Sequence, residues 1–130
     1  MAGYVDSKKS HLDCYGQVDI GLDTFPFNGA TTTCEALWMG VPVLTLSGDR
    51  HVSRIGATML NAVGLSEMVA LNKNEFVQKA MRLANDPKGL MQLRAILRKR
   101  MKDSPLCNSR HFAHQIELAY REIWQRWCLK

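Results

Sequence analysis

Two short apolar segments flank a stretch of helix-forming residues, and this arrangement constrains the fold more than any other feature of the sequence. The first segment alternates apolar with small or acidic residues over 18–22, and the second runs through residues 42–46. Both have the length of a β-strand. A strand, a helix and a strand within about thirty residues form a βαβ unit, whose strands lie parallel and whose crossover is right-handed. The pattern predicts an α/β fold in which a ligand binds at the carboxyl ends of the strands, here between Asp23 and Thr33.

A turn of small and polar residues connects the first strand to the helix. Asn28 and Gly29 tolerate positive φ in such turns, and the chain then enters residues 31–35, TTTCE. The first turn of a helix has free N–H groups and the positive end of the helix dipole, which favour a phosphate, and the threonine hydroxyls add donors. The spacing Thr32-x-x-Glu35 is also that of a capping box, in which both side chains only close the helix end. Two interpretations of this segment therefore stay open.

A resemblance to a known family rests on residues 19–65, DIGLDTFPFNGATTTCEALWMGVPVLTLSGDRHVSRIGATMLNAVGL. This run resembles the nucleotide-binding segment of the O-linked N-acetylglucosamine transferases, the SPINDLY-like family, and the similarity extends from about Val5 to the last helix. It implies the C-terminal part of the second lobe of a GT-B glycosyltransferase, a three-layer Rossmann-like parallel sheet flanked by helices. It also implies UDP-N-acetylglucosamine as donor, protein Ser or Thr hydroxyls as acceptors, and neither a cofactor nor a metal.

The resemblance assigns roles to individual residues. Thr31 and Thr32 match a hydroxyl pair that meets the diphosphate, and Glu35 matches an acidic position that meets the ribose hydroxyls. His11 resembles a histidine packed by the uracil ring, and Lys8 resembles a lysine beside the uridine. No catalytic residue is predicted, and the predicted substrate-binding set is Thr31, Thr32, Thr33, Glu35, Lys8, His11, Asn28 and Gly29.

The chain differs from the resembling enzymes in two respects. Ala30 stands where the animal enzymes carry a histidine, which removes one donor to the phosphates. The resemblance also implies an upstream lobe and a TPR region that are not among these residues. We therefore expect residues 1–130 to be one nucleotide-sugar-binding subdomain that does not catalyse transfer by itself.

Composition narrows the remaining classes of protein. The chain has 130 residues, of which 46% are hydrophobic and 22% charged, and this is the composition of a single globular domain. No apolar stretch approaches a membrane span. The four cysteines contain no C-x-x-C pair, which favours reduced thiols in the cytoplasm. His111 and His114 are three residues apart, but no third metal ligand lies near them in the sequence.

The net charge of +5 supports a hypothesis of another class. Five basic residues cluster on one predicted helix and suit the phosphates of a nucleic acid, or else form an ordinary solvated face. A third hypothesis is an interaction module that has the fold but no ligand. The basic cluster consists of Arg94, Arg98, Lys99, Arg100 and Lys102.

The sequence between residues 36 and 71 predicts further elements. Trp38 is expected to pack between the crossover helix and the sheet. Apolar residues at helical spacing predict a helix over 51–63 that stops at Gly64, and residues 67–71 have the pattern of an edge strand.

Three helix starts are predicted in the C-terminal half. Asn72-x-x-Glu75 has the spacing of a capping box, and Asp86-Pro87 combines an N-cap residue with a proline at the first helical position. Asn108 starts the last helix. In the resembling family this helix returns to the first lobe, so without that lobe we expect part of its apolar face to be exposed and to favour self-association. That face consists of Phe112, Ile116, Ala119, Ile123 and Trp127.

Overall fold

The structure is a computed structural model that describes residues 8–129, with side chains from residue 11 onwards. Within this part of the chain, three short strands alternate with helices, and three helices follow the last strand. In chain order the elements are α1 (Lys8–Asp13), β1 (Gly21–Leu22), α2 (Thr31–Trp38), β2 (Val43–Leu46), α3 (Ile55–Ala62), β3 (Val69–Ala70), α4 (Lys73–Ala84), α5 (Pro87–Asp103) and α6 (Ser109–Cys128).

The three strands form one parallel sheet in the order β1-β2-β3. Gly21 lies opposite Val43, and Thr45 lies opposite Val69. Helix α2 connects the first pair of strands and α3 connects the second pair, so each connection is a βαβ crossover. The predicted α/β class, a parallel sheet flanked by helices, is confirmed.

Strand β1 is shorter than the alternating pattern predicted. Only Gly21 and Leu22 pair with β2, because the chain before them has another partner. The carbonyls of Val18 and Asp19 accept hydrogen bonds from the Arg94 guanidinium of α5, at 2.6 and 3.0 Å. Alternation in sequence identified a segment beside the sheet, but a distant arginine limits how much of it forms the ladder.

The core is built around β2, whose four residues are all buried. Its Leu44 is fully buried among apolar side chains that include Leu37 of α2 and Leu60 of α3. Burial of one leucine side chain contributes about 2 kcal/mol to folding. The buried residues of this cluster are Leu37, Leu44, Leu60, Val63, Leu65, Met68, Leu97 and Met101.

The helix boundaries of the C-terminal half follow local sequence signals. The side chains of Asn72, Asp86 and Asn108 each accept a hydrogen bond from the amide three residues later, at 2.9 to 3.0 Å. These three predicted starts are confirmed. Gly64, with φ of +71°, follows α3 as predicted, because an L side chain rarely adopts that conformation.

Three local predictions in this region are wrong in detail. The Glu75 carboxylate accepts from the Leu71 amide at 2.8 Å, one residue before the N-cap, so the capping box is not closed on Asn72. The predicted helix over 51–63 begins as a separate 3₁₀ turn over His51–Ser53. The first two residues of the predicted edge strand likewise belong to a 3₁₀ turn, Ser66–Met68, and only Val69–Ala70 pair with β2.

Trp38 does not pack between α2 and the sheet, contrary to the prediction. The indole is 39% exposed, and the Arg98 guanidinium of α5 lies 5.8 Å from the ring centroid. Arg98 Nε also donates to the Trp38 carbonyl at 2.8 Å. The buried face of α2 consists instead of Thr33, Ala36 and Leu37, so Trp38 lies on the side of the helix next to α5.

Helix α6 forms where it was predicted but is not packed. Each of its residues is exposed, including Phe112 at 64% and Trp127 at 68%. The expected exposure of its apolar face is confirmed. Within residues 8–129, no helix is both long enough and apolar enough to cross a membrane.

Candidate functional site

Asp23 organises the turn at the carboxyl end of β1. One carboxylate oxygen, Oδ1, accepts from the Gly29 amide at 2.7 Å, and Oδ2 accepts from the Thr45 hydroxyl at 2.7 Å. Gly56 at the start of α3 lies against the same carboxylate, because a Cβ there would meet both Oδ2 and the Thr45 hydroxyl. Asp23 therefore connects the turn to β2 and α3. Its position at a strand end is a signal that the sequence analysis did not use.

Asn28 is fully buried, and its side chain is used inside the protein. Its Nδ2 donates to the Thr24 carbonyl at 2.9 Å, and its Oδ1 accepts from the Gly56 amide at 3.4 Å. Its own amide donates to the Val52 carbonyl at 3.0 Å. These bonds hold the turn against the start of α3, so the contribution of Asn28 to the site is its shape.

Gly29 is needed for space and not for backbone conformation. Among residues 8–129, positive φ occurs only at Gly40 and Gly64, so Asn28 and Gly29 do not use the positive φ that they would tolerate. A Cβ on Gly29 would lie 2.6 Å from Oγ1 of Thr32 and 2.9 Å from Oγ1 of Thr33. The glycine therefore allows the backbone to approach the threonine hydroxyls closely.

Helix α2 begins without a side-chain cap. Its N-cap residue is Ala30, whose carbonyl accepts from the Cys34 amide at 3.1 Å. The interpretation of Thr32 and Glu35 as a capping box is therefore wrong, because the helix starts two residues earlier than that box requires. The first-turn N–H groups have no acceptor within the helix. This leaves an uncapped, positively polarised helix end at the carboxyl edge of the sheet.

The three threonines of α2 have different environments. Thr33 is buried, and its hydroxyl donates to the Gly29 carbonyl at 3.1 Å, so it stabilises the turn. Thr31 and Thr32 are exposed. A cavity of about 210 Å³ lies beside Thr32 at the end of β1, and its walls include Asp23, Thr24, Gly29, Thr32 and Thr33. Of the predicted hydroxyl donors, Thr31 and Thr32 are thus the accessible ones.

Glu35 joins α2 to α1. Its Oε2 lies 3.1 Å from Nε2 of His11 and 3.4 Å from the hydroxyl of Tyr15. The rings of His11 and Tyr15 meet edge to face, with centroids 5.7 Å apart. The structure therefore brings together Glu35 and His11, which the sequence analysis paired only through the family resemblance. It adds Tyr15, which no local pattern indicated.

A second cavity, of about 380 Å³, lies on the other side of Glu35. His11, Thr31, Glu35 and Trp38 are among its lining residues. Lys8 begins α1, but its side chain lies outside the described part of the chain, so its predicted contact with a nucleoside stays a prediction. Larger cavities next to α5 contain none of the predicted site residues.

Two groups near the site have shifted pKa values. The pKa of Tyr15 is raised by burial, by the negative charge of Glu35 and by the hydrogen bond to that carboxylate. The pKa of Cys34 is raised by burial and by the charges of Cys107 and Glu35. Both side chains therefore keep their protons at neutral pH.

The three arginines of α5 donate hydrogen bonds to other elements of the fold. Arg94 donates to carbonyls before β1, Arg98 to the carbonyl of Trp38 and Arg100 to that of Gly64 at 3.2 Å. Lys99 pairs with Asp103 at 2.6 Å. These contacts hold the guanidinium groups against other elements, and the nucleic-acid hypothesis finds no support in them.

The comparisons with known proteins agree on one family. Residues 2–116 match the model of glycosyl transferase family 41. The chain is 47% identical over 118 residues to the probable UDP-N-acetylglucosamine–peptide N-acetylglucosaminyltransferase SPINDLY of Solanum lycopersicum, covering 91% of this chain and 13% of that protein. It is 32% identical over 123 residues to the UDP-N-acetylglucosamine–peptide N-acetylglucosaminyltransferase of Caenorhabditis elegans, covering 95% of this chain and 11% of that protein.

A solved structure shows the same similarity in three dimensions. A Thermobaculum terrenum O-GlcNAc transferase mutant matches with a TM-score of 0.83 and 36% identity, over 91% of this chain and 23% of that one. The chain thus spans only a small part of the length of each of these relatives. Because the family model matches 115 consecutive residues, the protein belongs to glycosyl transferase family 41.

Proposed function

We propose that this chain is the part of a glycosyltransferase that holds the donor, UDP-N-acetylglucosamine, while the sugar is transferred to Ser or Thr hydroxyls of proteins. The proposal rests on the uncapped N-terminus of α2, which presents Thr31 and Thr32 at the carboxyl edge of a parallel sheet. Family membership and the names of the relatives support the donor and the acceptor.

The chemistry of this role is charge stabilisation. A nucleoside diphosphate leaves with additional negative charge when the sugar is transferred. Free N–H groups, the positive end of the α2 dipole and the hydroxyls of Thr31 and Thr32 are donors that favour this charge. The 210 Å³ cavity beside Thr32 gives the diphosphate a place next to those donors. These hydrogen-bond donors stabilise the transition state if they bind the departing diphosphate more tightly than they bind the intact nucleotide sugar.

The nucleoside is assigned to the side of α2 that faces α1. Glu35 accepts hydrogen bonds from the ribose hydroxyls, His11 packs against the base, and Lys8 is assigned a place beside the nucleoside. The supporting observation is that Glu35, His11 and Thr31 line one cavity.

The complete reaction needs groups beyond this chain. We assign no catalytic residue to residues 1–130, which we propose to be the C-terminal nucleotide-sugar subdomain of a GT-B enzyme. An upstream lobe and a TPR region of the full-length protein are its proposed partners in transfer. The small share of each relative that the chain covers is consistent with that division.

Two further expectations remain proposals. Nucleotide binding is proposed to need no metal, since N–H groups and hydroxyls of α2 supply the phosphate contacts. Unchanged affinity for UDP after addition of EDTA is the expected result. The cytoplasmic location stays a prediction from the cysteine spacing.

The first test compares two threonine variants in a titration with UDP that is monitored by amide NMR. Thr32→Val removes an exposed hydroxyl at the start of α2, and we expect about tenfold weaker UDP binding because a hydrogen bond to a charged group is lost. Thr58→Val is the matched control, since the Thr58 hydroxyl donates to the Arg54 carbonyl within α3. Its UDP affinity should match that of the unaltered chain.

The same titration with GDP and a short DNA duplex separates the alternatives. Selective shifts of residues 29–35 with a nucleotide support the proposal, and the preferred nucleotide identifies the base. Shifts confined to residues 94–102 with DNA contradict it. If none of the three ligands shifts any signal, the remaining hypothesis is an interaction module that acts through α6.

A further inference from the structure

The two oxygens of the Glu35 carboxylate are not equivalent. Oε2 lies within hydrogen-bond distance of both His11 Nε2 and the Tyr15 hydroxyl, at 3.1 and 3.4 Å. No residue between 11 and 129 donates to Oε1. The Glu35 side chain is 31% exposed, and Oε1 is not a buried atom that lacks a hydrogen-bond partner. A carboxylate is planar, so two hydrogen-bond donors on Oε2 restrict the direction in which Oε1 points.

Tyr15 stands between the two cavities of the candidate site. It belongs to the 3₁₀ turn that follows α1, and its ring meets that of His11 edge to face. Its hydroxyl also lies 3.4 Å from the Thr32 carbonyl. Tyr15 lines the cavity next to Thr32, whereas Glu35 and His11 line the other cavity. It is therefore the side chain that connects the proposed diphosphate and nucleoside ends.

The Tyr15 hydroxyl keeps its proton at neutral pH. Burial raises the pKa of this phenol first, and the charge and hydrogen bond of Glu35 raise it further. A protonated phenol beside a carboxylate is a donor to it. The Tyr15 hydroxyl is thus available as a donor over the physiological pH range.

We propose that Tyr15 is a positioning residue, whose hydroxyl fixes Oε2 of Glu35 so that Oε1 stays open to a ribose hydroxyl of the bound nucleoside diphosphate. This inference rests on the proposed function and assigns a role to a residue outside the predicted site. Tyr15 acts through Glu35 and does not itself contact the ribose. The contact with His11 gives it a second effect, because the same tyrosine restrains the ring proposed to pack against the base.

The binding test uses two ligands that differ only in the ribose, UDP and 2′,3′-dideoxy-UDP. Tyr15→Phe removes the hydroxyl and keeps the ring, so we expect UDP binding to weaken about fivefold, the effect of one hydrogen bond. Binding of the dideoxy ligand should change less than twofold. Tyr120→Phe is the matched control, because Tyr120 is 69% exposed on α6, and it should change neither affinity.

A double variant separates positioning from general support of the fold. Glu35→Gln should also weaken UDP more than the dideoxy ligand, and Tyr15→Phe combined with Glu35→Gln should lose no more than Glu35→Gln alone. Equal weakening of both ligands by Tyr15→Phe overturns the proposal, because it would mean that the tyrosine only supports the fold. Unchanged UDP affinity overturns it as well.

A titration without any nucleotide tests the contact itself. Glu35→Gln removes the charge of Glu35 and weakens its hydrogen bond to Tyr15, so the pKa of Tyr15 should fall, while burial keeps it above its ordinary value. The phenol signal is assigned by its loss in Tyr15→Phe and followed by NMR. An unchanged pKa overturns the positioning role even when UDP binds. If the unaltered chain binds neither nucleotide, the proposed function fails and the ribose role fails with it, whereas the titration still shows whether the Tyr15–Glu35 contact exists.

Discussion

The turn between β1 and α2 and the terminal helix α6 are both strongly patterned in sequence, but they differ in how completely this chain stabilises them. The turn buries Asn28 and Thr33 and ties its backbone to Asp23, with partners that all lie within residues 23–56. Helix α6 has an apolar face and no buried residue. A hydrogen-bonded turn can be complete within a short segment, whereas an amphipathic helix needs a second surface to cover it.

The largest difference between the two regions is expected from a pair of asparagines. Asn28→Ala leaves the Thr24 carbonyl and the Gly56 amide without their side-chain partner in a buried place, so we expect a loss of about 3 kcal/mol in the free energy of unfolding. Asn108→Ala removes the N-cap of α6 and should cost at most about 1 kcal/mol. Urea denaturation of both variants measures the difference. Similar losses at the two positions would contradict the contrast between the regions.

A pair of glycines gives the next effect. Gly29→Ala places a methyl group against Oγ1 of Thr32 and of Thr33, so we expect a loss of about 1 to 2 kcal/mol, together with weaker UDP binding. Gly16→Ala is the control, because nothing lies within 4 Å of a Cβ at Gly16. Its free energy of unfolding should be unchanged or slightly higher. A Gly29→Ala variant as stable as the control would mean that the turn relaxes easily.

The smallest effect on stability is expected in α6. Trp127→Ser changes a side chain that is 68% exposed, so the free energy of unfolding should change by less than about 0.5 kcal/mol. Self-association should decrease, because the apolar face loses its largest group. Sedimentation at several concentrations measures this. A loss of 2 kcal/mol or more in a dilute monomer would show that α6 packs on the domain in solution.

Local signals predicted much of the fold. Asp86 and Asn108 start their helices as predicted because an N-cap acts within four residues of chain. The βαβ order also follows from the sequence, since strand periodicity and connection length are local properties. The exposure of α6 was not a local prediction, because it was expected only from the family resemblance, in which this helix returns to a first lobe.

The wrong predictions for Thr32 and Trp38 involve contacts outside the local sequence pattern. Thr32 is not the cap of α2, because Asp23 and Thr33 hold Gly29 just outside the helix. The exposed ring of Trp38 depends on how α2 packs against α5, which helical spacing within α2 does not specify. Tyr15 was missed for the same reason, since only the fold brings it to Glu35, twenty residues away.

Asp23 links the substitutions that several positions around the turn can tolerate. A Cβ on Gly56 would clash with Oδ2 of its carboxylate, and a Cβ on Gly29 would lie 3.3 Å from its Oδ1. The hydroxyl of Thr45 occupies the remaining acceptor. These four positions are therefore coupled: a larger residue at position 56 needs shorter side chains at both position 23 and position 45, and a shorter side chain at position 23 also leaves the Gly29 amide without its acceptor. Substitutions that are harmful one at a time are therefore expected to be compatible in combination.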